Sequence, residues 1–124
     1  MRNLRGLLMT AVLASLVATA QAQTVRPEIA KPMQQASELL KAGKAPAALA
    51  KVKEADAVGN KNPVEQLLIN RMRGAAAQRT GDNATAIQSF EAAIASGRLS
   101  NSEQAQMAES IAFAYSQQRN WGKV

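Results

Sequence analysis

The chain is 124 residues long, carries a formal charge of +6, and contains no cysteine, no histidine and only four aromatic residues. That length fits one domain. Lacking thiols and imidazoles, it has no disulfide and none of the commonest nucleophiles, proton shuttles and soft metal ligands. Most enzyme chemistries are thereby excluded, and we expect no catalytic residue, no cofactor and no metal.

Residues 1–22 follow the pattern of an export signal. Arg2 and Arg5 give a positive start, Gly6 to Ala20 carry no charge, and Ala20-Gln21-Ala22 is a small-x-small cleavage site. Leu7, Leu8, Met9, Val12, Leu13, Leu16 and Val17 make the apolar stretch, whose 15 uncharged residues fall short of the ~20 that a spanning helix needs. Cleavage after Ala22 would leave Gln23 as the first residue of an exported, periplasmic protein with no stable membrane insertion. Without Arg2 and Arg5, 13 basic residues face 9 acidic ones. This excess is modest, and Phe90, Phe113, Tyr115 and Trp121 are not interleaved with a dense basic stripe, so no nucleic acid is expected as a partner.

Residues 23–29 include Pro27 and show no apolar period, which predicts a flexible lead-in. A first helix is predicted from about Ala30, with Met33, Ala36, Leu39 and Leu40 on one face and a stop at Gly43, a residue that takes the left-handed conformation readily. Pro46 suits the first turn of a second helix, where a missing amide donor does no harm. Ala48, Leu49, Val52, Ala55 and Val58 carry its apolar stripe, and Gly59-Asn60 ends it. Asn62-Pro63-Val64-Glu65 opens a third helix, predicted to Arg79, with Leu67, Leu68, Met72, Ala75 and Ala76 as its apolar face. After the Gly81-Asp82 turn, Ala86, Ile87, Phe90, Ala93 and Ile94 form a fourth, which Gly97 stops. Ser100 and Glu103 have the spacing of a capping box and open a fifth helix through Met107, Ile111, Ala112, Ala114 and Tyr115. The pattern breaks near Arg119-Asn120, so Trp121 is expected to begin a sixth.

The helices repeat. Ala36 answers Gly74 and Ala112, Gly43 answers Gly81, Ala48 answers Ala86, Val52 answers Phe90 and Ala55 answers Ala93, all at an interval of 38 residues. A fixed interval of this size, with small residues at set places and no strand-like alternation, describes helix pairs packed closely and then copied. The segment Gly74 to Ile94 resembles a tetratricopeptide repeat: Gly74, Gly81-Asp82, Ala86, Phe90 and Ala93 match that family's small, turn, small, aromatic and small positions in order. A weaker copy falls on Ala36, Gly43, Ala48, Val52 and Ala55, and an incomplete third on Ala112, Tyr115, Asn120, Trp121 and Val124. The departures are Pro32, Asn70 and Ala108 at the family's Trp position, Gln35, Arg73 and Ile111 at its Leu position, Asn60 and Arg98 at its closing Pro, and a period longer than the family's.

The resemblance implies an all-α fold, a right-handed α-solenoid of helix-turn-helix pairs over residues 30–124 with about two and a half repeats. The third repeat would lack its second helix and expose much of Met107, Ile111 and Tyr115, unless further chain or a second copy covers them. The resemblance also implies a concave groove lined by the first helix of each pair: Met33, Ser37 and Leu40, then Arg71, Ala75 and Gln78, then Glu109, Phe113 and Ser116. Arg71, Gln78, Glu109 and Phe113 are the candidate partner-binding residues. Arg71, Arg73 and Arg79 share one helix and could either meet an acidic partner or stand as solvated charge. Phe113 lies two residues before Tyr115, so the two cannot point into one core. The expected function is a non-enzymatic scaffold or adaptor of the bacterial cell envelope that binds a protein or peptide. The alternatives are a homo-oligomerising structural unit and, more distantly, an envelope hydrolase with a glycosidase-type carboxylate pair.

Overall fold

Glycine and capping residues divide the chain at the places where their chemistry is required. The computed structural model of the chain describes residues 25–122, so the expected signal peptide over residues 1–22 lies outside the described residues. Among the described residues the protein is all-helical: α1 (Pro27–Lys41), α2 (Ala45–Asp56), α3 (Pro63–Thr80), α4 (Asn83–Ala95) and α5 (Asn101–Gly122). Each helix packs on the next, and α1 also reaches α3.

The interval of 38 residues recurs in the hydrogen bonds. Gly43 and Gly81 end α1 and α3 at φ +77° and +81°. In both turns the following residue donates its amide back five positions, Lys44 to Leu39 at 2.8 Å and Asp82 to Ala77 at 2.9 Å. A residue with a Cβ is disfavoured at such a φ, which is why glycine stands at both ends. The starts of α3 and α5 match as well. Asn62 accepts from the Glu65 amide at 2.8 Å while Glu65 accepts from the Asn62 amide at 2.9 Å. Ser100 and Glu103 exchange the same two bonds at 3.1 and 2.9 Å, satisfying amides that no helical carbonyl can reach.

Two boundaries differ from the sequence reading. The first helix starts at Pro27, three residues before Ala30, so the expected flexible segment 23–29 includes a full helical turn. The Arg26 amide and side chain are both bonded to Glu65, and this anchor fixes the chain just where Pro27, with its preset φ, can serve as the first helical residue. At the other end α5 runs through Arg119-Asn120 to Gly122 without a break, and no sixth helix begins at Trp121. The two earlier turns depend on glycine; at the equivalent place here stands Arg119, which continues a helix.

The core forms two clusters on either side of α3. Ile29, Met33, Ala36, Leu40, Val52 and Ala55 gather with Ile69 and Ala76 of α3 in the first. Ala77 of α3 joins Ala86 and Phe90 in the second, with Met107 and Ile111 packed against it and Leu49 touching both. Met107 and Ile111 are thus half-buried, while Tyr115 on the same helix is exposed. The predicted face of α3 is also displaced: Ile69, Gly74, Ala76 and Ala77 are its buried small and apolar residues, while Leu67, Leu68 and Met72 are only half-buried. A helix buried on two sides has no single apolar stripe, so an amphipathic template misplaces its core.

Gly74 marks the closest approach. A Cβ built there would lie at 2.9 Å or less from three ring carbons of Phe90. In the first helix pair the same two positions hold Ala36 and Val52, both fully buried, so the larger residue on one helix goes with the smaller one on the other. Gly74→Ala should destabilise the protein by roughly 1–3 kcal/mol through overpacking, against a helix-propensity gain of about 1 kcal/mol. The double variant Gly74→Ala/Phe90→Val should show a favourable coupling in denaturant titrations. Strict additivity of the two single effects would mean that ring and backbone do not compete for this space.

Candidate partner-binding site

The four residues singled out from the sequence fall on two helices. Arg71 and Gln78 lie two turns apart on α3, and Glu109 and Phe113 one turn apart on α5, so each pair shares a helix face. Glu109 and Phe113 are exposed and Gln78 is half-buried. Arg71 is joined to α5, through a 3.2 Å ion pair with Glu103. The expected first-copy groove residues Met33 and Leu40 are corrected to core: both are buried in the first cluster, where α2 and α3 close over α1.

Of the arginines of α3, Arg71 and Arg79 are exposed and Arg73 is half-buried. Arg73 donates to Asp56 of α2 at 2.6 Å, and Arg79 donates to the Leu40 carbonyl at the end of α1 at 2.8 Å. With Arg71 on Glu103, each arginine ties α3 to a different helix. Lys61 completes the α2–α3 connection, bonding the Asp56 and Val58 carbonyls at 2.6 and 3.0 Å. The arginine contacts join residues that sequence spacing could not pair.

Glu65 is the fully buried charge. Its carboxylate takes the Arg26 amide and Nε at 2.9 Å each, and Arg26 Nη2 at 3.2 Å. The same Arg26 nitrogen reaches the Gly59 carbonyl at 3.0 Å. The bond from the Arg26 side chain, aided by the Asn62 and Arg26 amides and opposed by burial, lowers the Glu65 pKa to about 2. The Arg26 pKa is raised, chiefly by the same side-chain bond. Glu103 is also lowered, first by the Ser100 amide. The sequence reading took Glu65 only as a favourable charge at a helix start; the Asn62-x-x-Glu65 spacing was a readable capping box, but nothing local pointed to Arg26.

The helix α5 shows an outer face with no counterpart elsewhere in the fold. Ala105, Ala108, Ala112 and Tyr115 stand 38 residues after Leu67, Asn70, Gly74 and Ala77 of α3. Asn70, Gly74 and Ala77 are buried on α3, where α4 packs, whereas all four α5 residues are exposed. Ala112, the small position of the incomplete third copy, is thus exposed. The remaining frame positions Asn120, Trp121 and Val124 lie outside the described side chains. Phe113 at 53% and Tyr115 at 48% exposure are the large hydrophobic side chains left in solvent among the described residues. Two residues apart, they flank α5 on nearly opposite sides, and the Tyr115 hydroxyl donates to Glu91 of α4 at 3.3 Å.

A hollow of about 370 Å³ opens between α3 and α4, bordered by Leu67 and Asn70 on one side and Ala92 and Ala95 on the other. Among the described residues no group of three or more acidic side chains is placed to hold a metal ion, and no helix is long and apolar enough to cross a membrane.

Comparison with protein-family models, curated proteins and solved structures finds no match to this chain.

The charge pairs set a pH dependence. Glu65 has a folded pKa of about 2 against an ordinary 4.5, so the unfolded chain binds more protons between these values and stability rises with pH across that window. The contribution is complete above pH 4.5 and is lost as pH falls towards 2. Melting temperature measured from pH 2 to 5 should fall steeply on the acid side. The variant Glu65→Gln should melt lower at pH 7 and show a flatter acid limb; an unchanged limb would remove Glu65 as its source.

Proposed function

We propose that the protein is a non-enzymatic interaction module of the bacterial cell envelope, a right-handed α-solenoid of tetratricopeptide-like helix pairs that binds a protein or peptide partner through α5. The supporting observation is the exposed aromatic side chain of Phe113, one turn from the exposed Glu109 on the same face of that helix. Aromatic side chains carry much of the binding energy at protein interfaces because they bury large rigid areas at low entropic cost. The chain's other candidate charges are paired within the fold: Glu65, Arg71, Arg73 and Asp56 are engaged with one another or with Arg26 and Glu103. The candidate site accordingly moves from a groove spanning α1, α3 and α5 to the outward surface of α5, with Glu109 and Phe113 retained. Arg71 reaches α5 from α3 through Glu103, while Gln78 lies two turns further along α3.

Self-association is the second reading, favoured by the open Ala105, Ala108, Ala112 and Tyr115 face, where small residues would let a second helix approach closely. A photo-crosslinking residue placed at Phe113 or Glu109 in the bacterial periplasm separates the two. A heterologous adduct from these positions, absent from the exposed Lys53 on α2, is expected. An adduct with a second copy would favour self-association, and equal labelling from Lys53 would remove α5 as the site.

Export rests on the pattern of residues 1–22. The intact mass of periplasmic protein should correspond to a chain beginning at Gln23. A mass that retains Met1, or recovery from the cytoplasm alone, would withdraw the envelope role.

A further inference from the structure

Asn70 borders the hollow between α3 and α4 and is only 7% exposed. Its carboxamide is held in one orientation. Arg73 has only donors to offer, so the atom it meets at 3.3 Å must be the Asn70 carbonyl oxygen. Arg73 is in turn fixed by its bond to Asp56. The Asn70 amide nitrogen is thereby turned away from Arg73, and it donates to no group among the described residues. No side-chain nitrogen or oxygen of the described residues is sealed from solvent without a partner. The nitrogen therefore keeps open space beside it, and the hollow is the space that its side chain borders. Leu67, Ala92 and Ala95 supply apolar wall around this donor, with Gln66 and Ser96 adding polar atoms.

We propose that this hollow is a binding site for one apolar residue of a peptide, its side chain resting on Leu67, Ala92 and Ala95 and its backbone carbonyl accepting from the Asn70 amide. The volume of about 370 Å³ is near the lower end of ligand pockets, roughly 300–1,000 Å³, which suits a single residue and is too small for a helix. A neutral carbonyl matches the donor better than a carboxylate does, because the guanidinium behind Asn70 is already paired with Asp56. A ligand that covers this donor without offering an acceptor strips it of water with no compensation, so such ligands are discriminated against. The site is separate from α5 and stands or falls independently of what α5 binds.

The test is a titration of the purified, isotope-labelled chain with N-acetyl-leucinamide, followed by nuclear magnetic resonance, with N-acetylglycinamide as the probe lacking an apolar side chain. Saturable shifts of the Asn70 side-chain amide and of the backbone amides of Leu67, Ala92 and Ala95 are expected, in the millimolar range appropriate to a fragment of about a dozen non-hydrogen atoms. The glycine probe should bind at least tenfold more weakly. The variant Asn70→Asp keeps the shape and its bond to Arg73 but replaces the donor with an acceptor, and should weaken the leucine probe at least tenfold. Ala92→Trp, at an exposed position, should fill the hollow and abolish the shifts while leaving the fold intact. Shifts that fail to saturate, that spread over the surface, or that persist unchanged in either variant would overturn the proposal.

Discussion

One helix has to satisfy all the others. Over 18 residues α3 meets α1, α2, α4 and α5, and its composition is the compromise that this demands. Gly74 lets the Phe90 ring lie against bare backbone, and Ala76 and Ala77 occupy separate core clusters on its two flanks. Around Gly74 such a helix gains little from side-chain volume, although Ile69 nearer its start is fully buried. Its stability depends on neighbours approaching closely enough that backbone and ring atoms fill space at interior density.

Where volume is lacking, charge supplies the connections. Arg79, Arg73 and Arg71 reach to α1, α2 and α5 respectively, and Glu65 draws in Arg26 ahead of α1. These contacts are not equivalent. Arg71 with Glu103 is exposed on both sides and is screened by water and salt, so it orients more than it stabilises. Glu65 is fully buried and accepts from amides as well as from a guanidinium. Its charge is compensated only in this arrangement, which links the start of α1 and the α2–α3 loop to the start of α3. Three arginines that share one helix in the sequence thus each bond to a different neighbouring helix.

The same arrangement explains why open apolar surface collects on α4 and α5. The first cluster is enclosed by α1, α2 and α3, whereas the second has Phe90 at its centre and only half-buried Met107 and Ile111 from α5. Small residues line both the outer face of α5 and the α4 side of the hollow, giving surfaces that a partner can approach closely. Exposed aromatics on one and an oriented amide donor in the other give these surfaces different chemistry, the first suited to area burial and the second to reading a backbone carbonyl.

The turns and starts of the helices were legible in the sequence because they are made by neighbours. Gly43 and Gly81 supply a backbone conformation that other residues resist, and Asn62, Ser100 and their glutamates satisfy amides within one turn. The small and large positions Ala48, Val52, Ala86 and Phe90 were legible too, because a repeated interval registers the same packing problem solved twice. Tertiary structure alone decided the rest. Arg26 and Glu65 are 39 residues apart, and neither residue carries a local sign of the other, so the early start of α1 was not readable. Gln78 and Ala75 gave no warning that α3 is buried on two sides, since periodicity records only how many residues are apolar on a face and not how many neighbours arrive. The orientation of Asn70 likewise depends on Arg73 being held by Asp56 from another helix. Local hydrogen bonding and sterics are written in adjacent residues; charge compensation and the shape of a hollow exist only once distant segments have been brought together.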